Sequence, residues 1–173
     1  LHYTLAHPEE YGIEAIEATY GEADMSEEAL AANKAESEEL LTAMEEFDYE
    51  LLTYDQRFTY DILYDYVETD LAFYDYVYLY EPFAYTSGLQ TNLPITLSEY
   101  TFYDKEDVED YLSLLNLTPD YFQVYLDFEY TKSEKGLFMN SNSAEEVIRQ
   151  CQEYIATPEE NLLIVTFNDR IGD

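Results

Sequence analysis

Between Thr53 and Leu79 apolar residues recur at alternating steps of four and three: Tyr60, Tyr64, Val67, Leu71, Tyr74 and Tyr78. Only an α-helix gathers such positions on one face, because its repeat of 3.6 residues lies between the two steps. Thr53 and Gln56 have the spacing of a capping box, which places the helix start there. Ile62, Tyr66, Phe73 and Val77 line a neighbouring face, and charge is confined to Asp61, Asp65, Glu68 and Asp75. A helix apolar over so much of its surface is expected at the centre of the fold, contacted by several others.

The rest of the chain reads as helices around it. Pro8 with Glu9 and Glu10 marks a short helix start that Gly12 ends. The capping-box spacing of Asp24 and Glu27 predicts a helix over about 25–47, with Leu30, Leu40, Leu41, Met44 and Phe47 as its stripe. Asp104 is expected to cap a helix carrying Val108, Tyr111, Leu112 and Leu115. Thr118-Pro119 then begins a separate helix with Tyr121, Phe122, Tyr125 and Phe128, and Gly136 stops it. Ser143 with Glu146 predicts a further start, followed by Val147, Ile148, Cys151 and Ile155 on one side. Thr157-Pro158-Glu159-Glu160 opens the last helix. The segment around 81–103 holds Pro82, Gly88 and Pro94 without a helical period, and is expected to be irregular or extended, with room for a short hairpin. The fold class that follows is all-α: a bundle-like array of about six helices with one irregular segment, forming a single helical domain over 1–173.

Charge narrows the function. Thirty-nine acidic residues against 7 basic ones leave a net charge of −32, which excludes nucleic acid and disfavours anionic membranes, since both demand Lys and Arg. No apolar run is long enough to insert in a membrane. Twenty tyrosines and no tryptophan predict a half-wet core or a concave face, because Tyr buries its ring while its hydroxyl seeks a polar partner.

No residue pattern points to catalysis. His2 and His7 are five apart, not the four that set two zinc ligands on one helical face, so a structural or surface role is expected. Cys151 is the only cysteine; it lies on an apolar stripe without a neighbouring base and reads as a buried structural thiol. Asp61, Asp65, Glu68 and Asp75 read as a solvated face. Most tyrosines belong to helical stripes, where packing is the default. The irregular segment is different, because loops carry function more often than core stripes. Tyr80, Tyr85, Gln90 and Tyr100 are therefore the substrate-proximal candidates, with no catalytic and no metal-ligating residue in the chain.

The runs Leu1–Ile13, Leu52–Tyr64, Gly88–Tyr100, Asp107–Leu115, Pro119–Phe122, Lys135–Met139 and Val147–Cys151 resemble, in order and spacing, the bacterial family known as domain of unknown function 885. Members of that family are several-fold longer, mostly helical, and many look like secreted lipoproteins. They resemble zinc metallopeptidases through a motif of the type H-E-x-x-P-G-H in their second half, which is absent here. The resemblance implies that this chain is the N-terminal, non-catalytic part of an extracellular or cell-surface protein that is zinc-dependent and peptidase-like. Its partners would be the C-terminal remainder of the parent and a peptide substrate. Zinc would belong to the parent, with no cofactor in this part. The rival readings are a stand-alone Tyr-rich module that binds a glycan or a peptide, and an acidic module for a cationic partner.

Overall fold

The computed structural model describes residues 8–13 and 18–172. Among the described residues there are six α-helices and no strand: α1 Glu27–Glu45, α2 Tyr54–Phe73, α3 Leu89–Ser98, α4 Lys105–Glu134, α5 Ser141–Ala156 and α6 Leu162–Ile171. Single 3₁₀ turns at Pro8–Tyr11, Tyr49–Leu51 and Pro158–Glu160, and a longer 3₁₀ stretch at Tyr74–Leu79, punctuate them. The all-α expectation holds. The count of six arises differently from the predicted one, through one helix gained and two merged.

The gained helix is α3, inside the segment expected to be irregular. Its period is hidden because Pro94 stands in the helix interior, where it forfeits one backbone bond. Local polar bonds organise the start: Gln90 Nε2 donates to Ala84 O at 3.0 Å and Asn92 Nδ2 to Ser87 O at 2.8 Å. Gly88 is obligatory here, since a Cβ at that position would lie 2.6 Å from Ala84 O and 2.7 Å from Ala84 N. The merger is α4, which runs through Pro119 without a break, so Thr118 is no N-cap. Its hydroxyl instead donates back to Leu114 O at 3.0 Å, a bond available only inside a continuing helix.

Three caps moved by two to four residues. Ser26, not Asp24, accepts the N-terminal amide bond of α1, from Ala29. Asn140, not Ser143, caps α5 by accepting from Ser143 N. Asn161, not Thr157, caps α6. Each cap is worth about 1 kcal/mol, so neighbouring candidates compete closely and packing decides between them. Other signals were read correctly. Asp104 caps α4, its Oδ1 accepting from Glu106 N at 2.8 Å and Asp107 N at 3.2 Å. The Pro8 turn ends before Gly12, at φ +72°. The Thr53–Gln56 box is complete, and Gly136, at φ +73°, ends α4 with Leu137 N donating to Lys132 O at 2.9 Å.

The chain divides into two compact units. One comprises Leu1–Ala23, Glu81–Leu126 and Phe138–Asp173; the other comprises Asp24–Tyr80 and Asp127–Leu137. In the second, α2 packs on α1 through the predicted stripe, with Val67 buried and Tyr60, Tyr64, Leu71, Tyr74 and Tyr78 half-buried. Tyrosine hydroxyls at its edge donate to carboxylates, Tyr64 to Glu45 at 2.9 Å and Tyr49 to Asp61 at 3.0 Å. This is the half-wet packing that the composition predicts. Lys132 is fully buried, its Nζ donating to Tyr80 O at 2.6 Å and Glu129 Oε1 at 3.1 Å. The expectation that α2 is surrounded does not hold within this unit: Phe58, Ile62, Tyr66 and Phe73 are exposed, because only one face of the helix meets α1. The carboxylates Asp61, Asp65, Glu68 and Asp75 are exposed, as a solvated face would be.

In the first unit Ala18, Leu97, Tyr111 and Leu114 form the core, with Leu163 and Phe167 packed against it. Phe167 stacks on Tyr111 at 5.7 Å and meets Phe102 edge-on at 5.8 Å. Tyr20 pins this core by donating to Leu114 O at 3.0 Å.

Candidate functional site

The concave feature with the strongest apolar character lies in the first unit, where α3, α4, α5 and α6 face one another. It is a cavity of about 370 Å³ walled by Leu93, Pro94 and Leu97 of α3, Phe122 of α4, Ile155 of α5 and Leu163 of α6. Pockets of about 300–1,000 Å³ lined by apolar groups with a few polar ones accept small ligands or single side chains. Pro94 and Pro119, the two prolines inside helices, both line it. They place rings, not N–H donors, on the wall, which keeps it apolar.

Four polar side chains reach this cavity: Gln90, Thr118, Cys151 and Tyr154. Gln90 is tied by its Nε2 to Ala84 O and, at 3.0 Å, to Gln150 Oε1, while Gln150 in turn donates to Tyr85 O at 2.8 Å. Its Oε1 is buried without a hydrogen bond and lies against the Cα of Gly88. Burial pushes the Tyr154 hydroxyl pKa up, with a smaller opposing effect from Asn161. Cys151 contradicts the expectation of a buried thiol: the residue is exposed beside the cavity, because the face of α5 bearing Ile148 and Ile155 is itself solvent-facing. The apolar groups that partly cover its sulfur push the thiol pKa up, so it stays protonated at neutral pH and is no thiolate nucleophile. The cavity therefore offers apolar contact and neutral hydrogen-bonding groups, not an ionised nucleophile or base.

The four residues singled out from the sequence are dispersed. Gln90 lines the apolar cavity, and Tyr85, exposed, is linked to it through Gln150. Tyr100 lies elsewhere in the same unit, packed on Phe102 and Tyr111 at 5.9 and 5.8 Å. Tyr80 belongs to the other unit, where its ring meets Phe128 and its carbonyl receives Lys132. His2 and His7 lie outside the described residues. Among the described residues no group of three His, Cys, Asp or Glu side chains is placed to hold a metal. No helix among them is long and apolar enough to cross a membrane.

Sequence reasoning missed Phe122, Ile155 and Leu163 as cavity residues. Each reads as an ordinary stripe member, and only the convergence of four helices makes a wall of them. It also missed Arg170, which shares a polar hollow with Tyr100. No curated protein and no solved structure matches the chain. A family profile, described as "Bacterial protein of unknown function (DUF885)", matches residues 11–171, and the chain belongs to that family.

Proposed function

We infer that this chain is a non-catalytic helical segment of a larger secreted or cell-surface bacterial protein that is peptidase-like and zinc-dependent. It contributes scaffold and one wall of the substrate cleft. The observation that carries this reading is the apolar cavity, whose wall holds neutral groups only. Such a surface can seat an apolar side chain of a peptide and cannot by itself cleave one. The exposed apolar residues of α6, Leu162, Ile164, Val165 and Ile171, support it as well, because a helix with so many large apolar side chains in solvent is suited to cover by a further partner. That partner would be the C-terminal remainder of the parent.

The deciding experiment reads the coding sequence beyond Asp173 and assays the longer chain. An H-E-x-x-P-G-H motif downstream, with peptide hydrolysis that a chelator abolishes, is the expected result. A stop codon directly after Asp173 refutes the reading and leaves the stand-alone binding module, for which the same cavity would be the binding site.

A further inference from the structure

Six of the seven basic residues are ion-paired in this chain of 39 carboxylates: Lys34, Arg57, Lys105, Lys132, Lys135 and Arg149. Arg170, in the last turn of α6, has no carboxylate partner among the described residues. Its Nη1 is buried without a hydrogen bond. Its guanidinium rests over the Phe102 ring, with Cζ 5.4 Å from the centroid. Helix polarity accounts for a cation at this position, and the ring for its orientation. Neither gives the guanidinium an acceptor: Nε and Nη2 also make no hydrogen bond to the described residues and, unlike Nη1, are not occluded, so they are the donors a ligand in reach could use.

Arg170 lines a hollow of about 350 Å³ with Ser98, Glu99, Tyr100, Thr101 and Phe102. The other groups define what fits. The Ser98 hydroxyl donates to Ile95 O at 2.7 Å, so towards the hollow it is an acceptor. The amide and hydroxyl of Thr101 have no partner among the described residues and are donors. Glu99 adds a negative charge that repels a doubly charged anion more than a singly charged one. Tyr100 and Phe102 supply aromatic walls. We propose that this hollow binds a carboxylate carried on an apolar body, with Arg170 as the anchoring cation and Thr101 as second donor. A guanidinium fork matches a carboxylate's two oxygens, which makes Arg the fitting cation. Free aromatic acids and the C-terminus of a peptide share this chemistry. The inference concerns the hollow alone and does not depend on the parent being a peptidase.

The test follows the Arg170 Nε–H and Thr101 N–H resonances of the 173-residue chain by NMR at constant ionic strength. Benzoate, N-acetyl-alanyl-phenylalanine, the amide of that dipeptide, and inorganic phosphate are the titrants. Saturable shifts are expected with a carboxylate, with at least tenfold weaker binding of the amide and of phosphate. Tighter binding of the dipeptide assigns the site to a peptide C-terminus, and tighter binding of benzoate to a small free acid. Arg170→Gln is expected to abolish the shifts at Thr101, and Arg170→Lys to weaken them about tenfold. No saturable shift with either carboxylate, an equal response to amide or phosphate, or unchanged binding in a folded Arg170→Gln variant overturns the proposal. The comparison among titrants on the unmodified chain decides the matter even if both variants fail to fold.

Discussion

Replacing Phe167 by Ala is expected to destabilise the first unit by about 2–3 kcal/mol. A fully enclosed Phe→Ala change costs about 3–5 kcal/mol, from lost transfer energy and the cavity left behind. Phe167 is only partly buried, so less area is lost. Against that, its ring makes two aromatic contacts, stacked on Tyr111 at an interplanar angle of 13° and edge-on to Phe102 at 77°. Such pairs add about 0.5–1.5 kcal/mol beyond area. With a urea slope near 2 kcal/mol/M, the midpoint of the far-UV circular dichroism transition should fall by about 1–1.5 M. Phe167→Asp should cost more, because it also buries a charge. Ile164→Asp is the control: Ile164 is 45 % exposed, and a change there should stay within about 0.5 kcal/mol. The dense apolar run of α6 allowed Phe167 to be either core or outward surface, and the structure places it inward. A midpoint shift below about 0.3 M for Phe167→Ala, or a larger shift for Ile164→Asp, would refute that placement.

Sodium chloride at 0.5 M should raise the melting temperature above its low-salt value, because repulsion between charges more than about 10 Å apart is already screened at 0.1 M, and closer pairs follow as salt rises, in a chain of charge −32; a fall on adding salt, seen by calorimetry, would mean that local ion pairs dominate. The Glu27 carboxyl is held below its usual 4.5 by hydrogen bonds from Lys135 and Tyr78. A depressed folded pKa gives stability that is present above about 4.5 and lost as pH falls through the folded value. Glu27→Gln should therefore melt lower than the unmodified chain at pH 7, with the gap closing towards pH 3.5; a constant gap in the thermal scans would contradict the pairing. Cys151 should react stoichiometrically with a maleimide at pH 8 without denaturant, since the residue is exposed, but more slowly than a free thiol because its pKa is raised. Labelling seen by mass spectrometry only after unfolding would restore the buried-thiol reading.

What the sequence alone determined is what local physics controls. The four-and-three spacing from Tyr60 to Tyr78 identified the face of α2 that packs, and it is the face that meets α1. Thr53 with Gln56, and Gly136 with its positive φ, marked helix ends because their bonds close within a few residues. The all-α class follows from the same periodicities summed along the chain. Tertiary structure decided everything that depends on competition between similar local options. Pro94 and Pro119 each suggested a boundary, yet both lie inside helices, because packing of the surrounding residues outweighs the roughly 3 kcal/mol that an interior proline costs. A stripe of apolar residues does not say how many neighbours will cover it, so α2 was expected to be enclosed and Cys151 buried. In the structure one face of α2 and the thiol face of α5 remain open. The apolar cavity and the Arg170 hollow had no signal along the chain. Gln90 and Leu163, or Glu99 and Arg170, become neighbours only when helices distant in sequence pack together, and no periodicity within a single helix encodes that meeting.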